Sequence, residues 1–170
     1  MELLELELEE IPKPKVVVLN CGTMGVEELK YLKGMSDHLP LVAKAIDSDI
    51  SSLSEDTLIM TAEKTKSVFP SIELNIHGKG ALLDPIKGNY LYQAHLPEIE
   101  RLIKTAVREV EEKAKILEEQ GLEIMDTLHF VTGGSSFPGT TPPLMLQLPA
   151  LLRKLYPRSR VTIITTFTLI

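Results

Sequence analysis

The chain opens on a strict alternation. Leu4, Leu6 and Leu8 take turns with Glu5, Glu7 and Glu9, the period of a strand and not of a helix. Pro12 and Pro14 close this stretch, so residues 1–14 read as an edge strand and a proline-containing linker. Glutamates along such a strand discourage further pairing at its edge. An α/β domain is then expected over residues 15–170.

Continuous apolar runs follow in place of alternation. Val16–Leu19 and Leu41–Ile46 suit strands buried on both faces of a parallel sheet. Ile72–Ile76 and Thr127–Val131 read the same way, and β-branched Arg160–Phe167 gives a last strand. Between them the period changes. Met24–Lys33 predicts a helix that stops at Gly34. Ser51–Phe69 mixes signals and is expected to hold a helix.

The clearest helix spans Glu98 to Gln120. Ile99, Leu102, Ile103, Ala106, Val107, Val110, Ala114 and Leu117 fall at steps of three and four and make one apolar stripe. Its charges, among them Glu100, Arg108, Glu112 and Lys115, read as a solvated face, and Gly121 supplies the stop. A further helix over Pro142–Tyr156 starts on proline and should kink or split at Pro149. The alternation of strands and helices predicts a mainly parallel, Rossmann-like sheet with helices on both faces.

Composition narrows the function classes. With 170 residues, 44% apolar and 25% charged, the chain fits one ordinary globular domain. A net charge of −6 argues against a nucleic-acid surface, which needs clustered Lys and Arg. No apolar run reaches the roughly 18 residues that span a bilayer. The acidic N-terminus lacks the basic character of a secretory signal, so a cytoplasmic protein without membrane contact is expected. Cys21 is alone, and His38, His77, His95 and His129 show no metal-ligand spacing, so no metal site is expected from them. Ser135 and Ser136 lack a nucleophile elbow, and no catalytic residue is assigned.

Four loops leave strands at the carboxyl edge, where such sheets bind ligands. The first holds Gly22, Thr23, Met24 and Gly25, and the second holds Asp47, Ser48 and Asp49. The third, Gly78 to Gly88, carries Gly80, Ala81 and Asp84, with Asp84 placed to cap a short helix from Pro85. The fourth runs Thr132, Gly133, Gly134, Ser135, Ser136, Phe137, Pro138, Gly139, Thr140, Thr141. Glycines let the backbone approach an anion, and a helix N-terminus presents free N–H groups to it. The first, second and fourth loops have no basic residue. Phosphate binding there would rest on backbone dipoles and a counter-cation such as Mg²⁺.

In order and content these loops resemble those of the tubulin/FtsZ GTPases. The most specific match is to the pattern G-x-G-A-x-x-[ND]-P-x-x-G, met without gaps by Gly78, Gly80, Ala81, Asp84, Pro85 and Gly88. Gly22 to Gly25 is similar to the family's first glycine loop, and Asp47–Asp49 to its acidic second loop. Gly133 to Thr141 falls where the signature phosphate loop is expected, with Phe137 and Pro138 in place of glycines. The resemblance implies the nucleotide-binding front half of that fold, with GTP or GDP as ligand and filament or self-assembly, hence a homo-oligomer, as context. It places the nucleotide on Gly22, Thr23, Gly25, Asp47, Asp49, Gly80, Ala81, Asp84, Gly133, Gly134, Ser135, Ser136, Gly139 and Thr140.

The family's later base-binding segments and its hydrolysis-completing acidic loop have no counterpart here. The chain is therefore expected either to be a fragment or a diverged relative, without hydrolysis of its own. Two alternatives stay open. One is a non-catalytic association domain on the same fold. The other is a Rossmann-type dinucleotide enzyme, for which only Gly22, Gly25 and an acid at Asp47 or Asp49 are available.

Overall fold

The computed structural model describes residues 11–74, 84–135 and 141–166. Five parallel strands form one sheet in the order β3-β2-β1-β4-β5. They are β1 (Lys13–Cys21), β2 (Leu41–Asp47), β3 (Thr57–Ile59), β4 (Ile124–Ser135) and β5 (Arg160–Thr166). The helices are α1 (Gly22–Met35), α2 (Ala62–Val68), α3 (Pro85–Ala94), α4 (Leu96–Glu119) and α5 (Thr141–Leu155).

The apolar runs of β1 and β2 are buried because both faces of the central sheet are covered. Val17, Leu19 and Cys21 point to one face, together with Ile46 and Phe130. That face is packed by Leu91 of α3, Ile99, Ile103, Ala106 and Val110 of α4, and Leu144 and Leu148 of α5. Val18, Ala43 and Ala45 point to the other face, against Val26 and Leu29 of α1. Burying each Ile, Leu or Val is worth about 1.5–3 kcal/mol, so α4 is held by its stripe. Two of its carboxylates reach into the sheet. Glu111 meets the buried Lys15 at 3.0 Å, and Glu109 meets the buried Lys44 at 2.7 Å. The expected solvated face holds for Arg108 and Glu112 and also for the half-exposed Glu111, while Glu109 is partly withdrawn against Lys44.

Several elements differ from expectation. The third strand is Thr57–Ile59, within the stretch expected to be helical, and Ala62–Val68 forms the helix there. Ile72–Leu74 has no strand pairing, and the rest of that expected strand lies outside the described residues. Pairing decides this: Met60 N donates to Asp47 O at 2.7 Å and locks the short strand onto β2. Helix α1 runs through Gly34 to Met35, because its end is closed by Ser36, whose N–H and Oγ both donate to Lys33 O. Pro149 sits inside an unbroken α5. Leu144, Leu148, Leu151 and Leu152 anchor both halves of that helix, and this packing offsets the backbone bond that proline forfeits. The alternating segment Leu4–Glu9 lies outside the described residues.

Candidate functional site at the carboxyl edge

The chain leaves β1 and β4 in opposite directions. From β1 it moves to β2 through α1 on one face, while from β4 it moves to β5 through α5 on the other. A crevice opens at such a switch point, beyond the carboxyl ends of the two central strands. Cys21 and Gly134 are register partners at that point.

Gly22 makes the turn. Its φ of 78° lies in the left-handed region that glycine alone enters freely. Helix α1 begins at once, behind Cys21 in an extended conformation. No side chain caps this end, and its first turn has no acidic residue. The N–H groups and the positive end of the helix dipole therefore lie at this edge with no acidic residue in the first turn of α1, the nearby charge being that of Asp47 at the end of β2. Thr23 is the second residue of α1.

Gly25 and Gly133 have a different neighbour. Asn20 is 2% exposed and lies between them. Its Nδ2 donates to Gly25 O at 3.2 Å and to Glu28 Oε2 at 3.1 Å. A Cβ on Gly25 would stand 2.7 Å from Asn20 Cβ, and one on Gly133 would stand 2.6 Å from Asn20 Oδ1. These two glycines let α1 and β4 close on Asn20. Gly133, Gly134 and Ser135 belong to β4; Gly133 and Gly134 pair with Asn20 and Cys21 of β1, and all three pair with Ile164, Thr165 and Thr166 of β5. The expected fourth loop therefore loses its first residues to the sheet. Small residues flanked by two strands complete the ladder more readily than they form a loop.

Asp47 ends β2 one strand away, buried, and Ile46 is the register partner of Cys21. Its Oδ1 accepts from Ser48 N and its Oδ2 from Ser52 Oγ, both at 2.7 Å. Asp49 caps a short 3₁₀ turn, accepting from Ser51 N at 2.9 Å and Ser51 Oγ at 2.8 Å. Burial first, and then the charge of Asp47, push the Cys21 thiol up to about 12, so it stays protonated and inert. Asp84 caps α3, accepting from Ile86 N at 2.9 Å and Lys87 N at 3.4 Å. Gly80, Ala81, Ser136, Gly139 and Thr140 lie outside the described residues.

Two further buried residues near this edge carry no sequence signal of their own. Asn20 ends an apolar run and carries no motif. Thr132, the register partner of Leu19, is fully buried, and its Oγ1 has no hydrogen-bond partner. Among the described residues, no group of three or more His, Cys, Asp or Glu side chains converges as a metal site. No helix among them is long and apolar enough to cross a membrane.

No family model matches this sequence, and no curated protein matches it. Among solved structures its fold is similar to that of CetZ1 from Haloferax volcanii, a GDP-bound monomer of the tubulin/FtsZ family. The identity is 13% and the TM-score 0.51, over 89% of this chain and 41% of that one. The likeness is one of fold, and this chain spans about two fifths of the matched structure's length.

Proposed function

We propose that the carboxyl edge of this sheet binds a guanine nucleotide, GDP or GTP, with its phosphates over Gly22 and the start of α1. The observation that carries this reading is the turn itself. Gly22, at positive φ, leads into a helix N-terminus that no side chain caps, and this happens at the switch point beside Gly134. Such a site suits a polyanion held by backbone groups. The GDP bound to the structurally similar CetZ1 supports the choice of base.

Residues within the site divide by role. Gly22, Thr23 and Gly134 line the phosphate position, with Ser135 at the end of β4 beside them; Ser136, Gly139 and Thr140 are assigned to the ligand by the sequence resemblance alone. Gly80 and Ala81 are assigned to the ligand by the sequence resemblance alone, and Asp84 contributes by capping α3. Asp47 and Asp49 hold the second loop through their serine contacts. Mg²⁺ would arrive with the phosphates and needs only one or two protein carboxylates. Asp47 is the buried carboxylate at this edge. Its oxygens already accept hydrogen bonds from Ser48 and Ser52, so its part is to shape the loop. No residue is assigned to hydrolysis, and turnover by this chain alone is not part of the proposal.

A second reading, association through the bare half of the sheet, rests on β5. Ile163 and Ile164 are 50% and 54% exposed on its two faces. Beside them a groove of about 300 Å³ runs between α1 and β5, lined by Val18, Tyr31, Val131 and Ile164. Amide chemical-shift mapping separates the two readings. Titration with GDP should move Gly22, Thr23 and Gly134 and leave β5 unmoved. Shifts that track protein concentration and centre on Thr162–Thr165 would support association instead.

A further inference from the structure

His95 is the elbow between α3 and α4, and both of its ring nitrogens are engaged. Its backbone N–H donates to Leu91 O at 3.1 Å and to Tyr92 O at 3.2 Å, and its carbonyl accepts from Ile99 N at 3.0 Å. The ring is 3% exposed. Nε2 lies 3.0 Å from Thr61 N, and Nδ1 lies 2.8 Å from Leu91 O. A backbone N–H can only donate and a carbonyl can only accept, so the chemistry fixes one form. Nδ1 carries the proton and donates to Leu91 O, while Nε2 is bare and accepts from Thr61 N–H. The neutral imidazole satisfies both partners. The imidazolium would set an Nε2–H donor against the Thr61 N–H donor.

Thr61 is not a passive partner. It caps α2: its Oγ1 accepts from Lys64 N at 3.4 Å, and its carbonyl accepts from Thr65 N at 3.2 Å and Thr65 Oγ1 at 2.8 Å. It also directly follows the exit of β3, the shortest strand of the sheet. The His95–Thr61 bond therefore ties the α3–α4 elbow to the edge strand and the short helix behind it. In the sheet β3 pairs only with Ala45, Ile46 and Asp47, and the rest of its hold comes from the buried Met60, the Lys64–Glu98 pair and the Phe69–Tyr90 ring contact.

We propose that His95 is a proton-sensitive clasp, whose protonation releases Thr61 and loosens β3 and α2 from the α3–α4 elbow while the central strands stay intact. This does not depend on nucleotide binding.

The surroundings favour release over tolerance of the charge. Burial lowers the pKa of His95 below its ordinary 6.5, against the opposing pull of Leu91 O. The charged groups facing the ring are Lys64 from α2 and Glu98 from α4, and these two pair with each other. Lys64 holds the Glu98 carboxyl below its ordinary range, so the pair persists in mild acid. Lys64 works against an imidazolium and Glu98 works for it, while burial outweighs both and keeps the ring neutral. Residues Thr57–Thr61 carry no charge, and Lys87, the one charged residue of α3, lies about two turns from the ring. With the folded pKa depressed, the clasp is fully closed above about pH 6.5 and is lost as the pH falls below it.

Two measurements on the unmodified protein, and one variant, test the clasp. Ring-nitrogen NMR at about pH 7.5 should show a neutral His95 with Nδ1 protonated and Nε2 bare. Hydrogen exchange, corrected for its intrinsic pH dependence, should show protection over Thr61–Val68 falling at least about tenfold by about pH 5, with β1 and β4 unchanged. In His95→Gln a non-titrating side-chain oxygen takes the place of Nε2, and that pH dependence should disappear. An Nε2-protonated tautomer, or protection over Thr61–Val68 that does not change with pH, overturns the proposal. So does a His95→Gln protein that keeps the pH dependence. If that variant fails to fold, the two measurements on the unmodified chain decide alone.

Discussion

Asn20 and Gly133 face each other across β1 and β4 so closely that a methyl group on Gly133 would stand 2.6 Å from Asn20 Oδ1. The same asparagine sits under Gly25, where an added Cβ would meet Asn20 Cβ at 2.7 Å and Asn20 backbone C at 3.0 Å. The two clashes differ in kind, one against a side-chain end and one against the stem and backbone. Gly133→Ala and Gly25→Ala should each cost about 1–3 kcal/mol by overpacking. Asn20→Ala removes Oδ1 and keeps Cβ. In that background Gly133→Ala should become nearly neutral, while Gly25→Ala should cost as much as before. Urea titrations of the three single and two double variants, read as mutant cycles, check this.

Lys44 is 6% exposed beneath α4, with Asp56 at 2.8 Å and Glu109 at 2.7 Å. Burial alone would raise the Asp56 carboxyl, but the hydrogen bonds from Lys33 and Lys44 outweigh it and hold it below 3.8. Its contribution to stability is therefore fully present above about pH 4 and is lost as pH falls through the depressed value. Asp56→Ala leaves a buried ammonium with one partner fewer and should cost about 3 kcal/mol at neutral pH. Lys44→Met removes the ion along with its desolvation cost and should change stability by less than that. Denaturant midpoints from about pH 7 down to about pH 3 measure both effects, and the acid dependence should flatten in Asp56→Ala.

Cys21 is 1% exposed, with its thiol pushed up to about 12 by burial and by Asp47. A thiolate-specific reagent at about pH 8 should therefore label it only when the sheet opens. The labelling rate should follow the unfolding equilibrium as denaturant rises. Fast labelling of the native chain would show that this end of β1 is open to solvent.

How much of this was legible in the chain follows from where packing agrees with local pattern. The stripe from Ile99 to Leu117 announces α4 because one continuous face is buried. Val16–Leu19 and Leu41–Ile46 announce their strands because both faces are buried. The short β3 has too few residues to show a period, and its place is set by pairing with Ala45, Ile46 and Asp47. The run Ile72–Leu74 looks like a strand and finds no partner. Gly34 carries a breaker signal that capping by Ser36 overrides, and at Pro149 the packing of α5 keeps the helix from splitting. At the site, Gly22 was legible as a turn glycine after a strand. The role of Gly25 and Gly133 was not, because it depends on Asn20, whose position between them exists only after β1, β4 and α1 have come together.

The central claim is that phosphate sits on the backbone at Gly22. Calorimetric titration with GDP, GTP and ATP, of the unmodified chain and of Gly22→Val, tests it most directly, with amide spectra of β1 and β4 confirming the fold. Guanine nucleotides should bind more tightly than about 1 mM, ahead of ATP, and Gly22→Val should weaken them at least about tenfold, or about 1.4 kcal/mol. No binding of any nucleotide at millimolar concentration, or equal affinity in the folded Gly22→Val protein, would contradict the account.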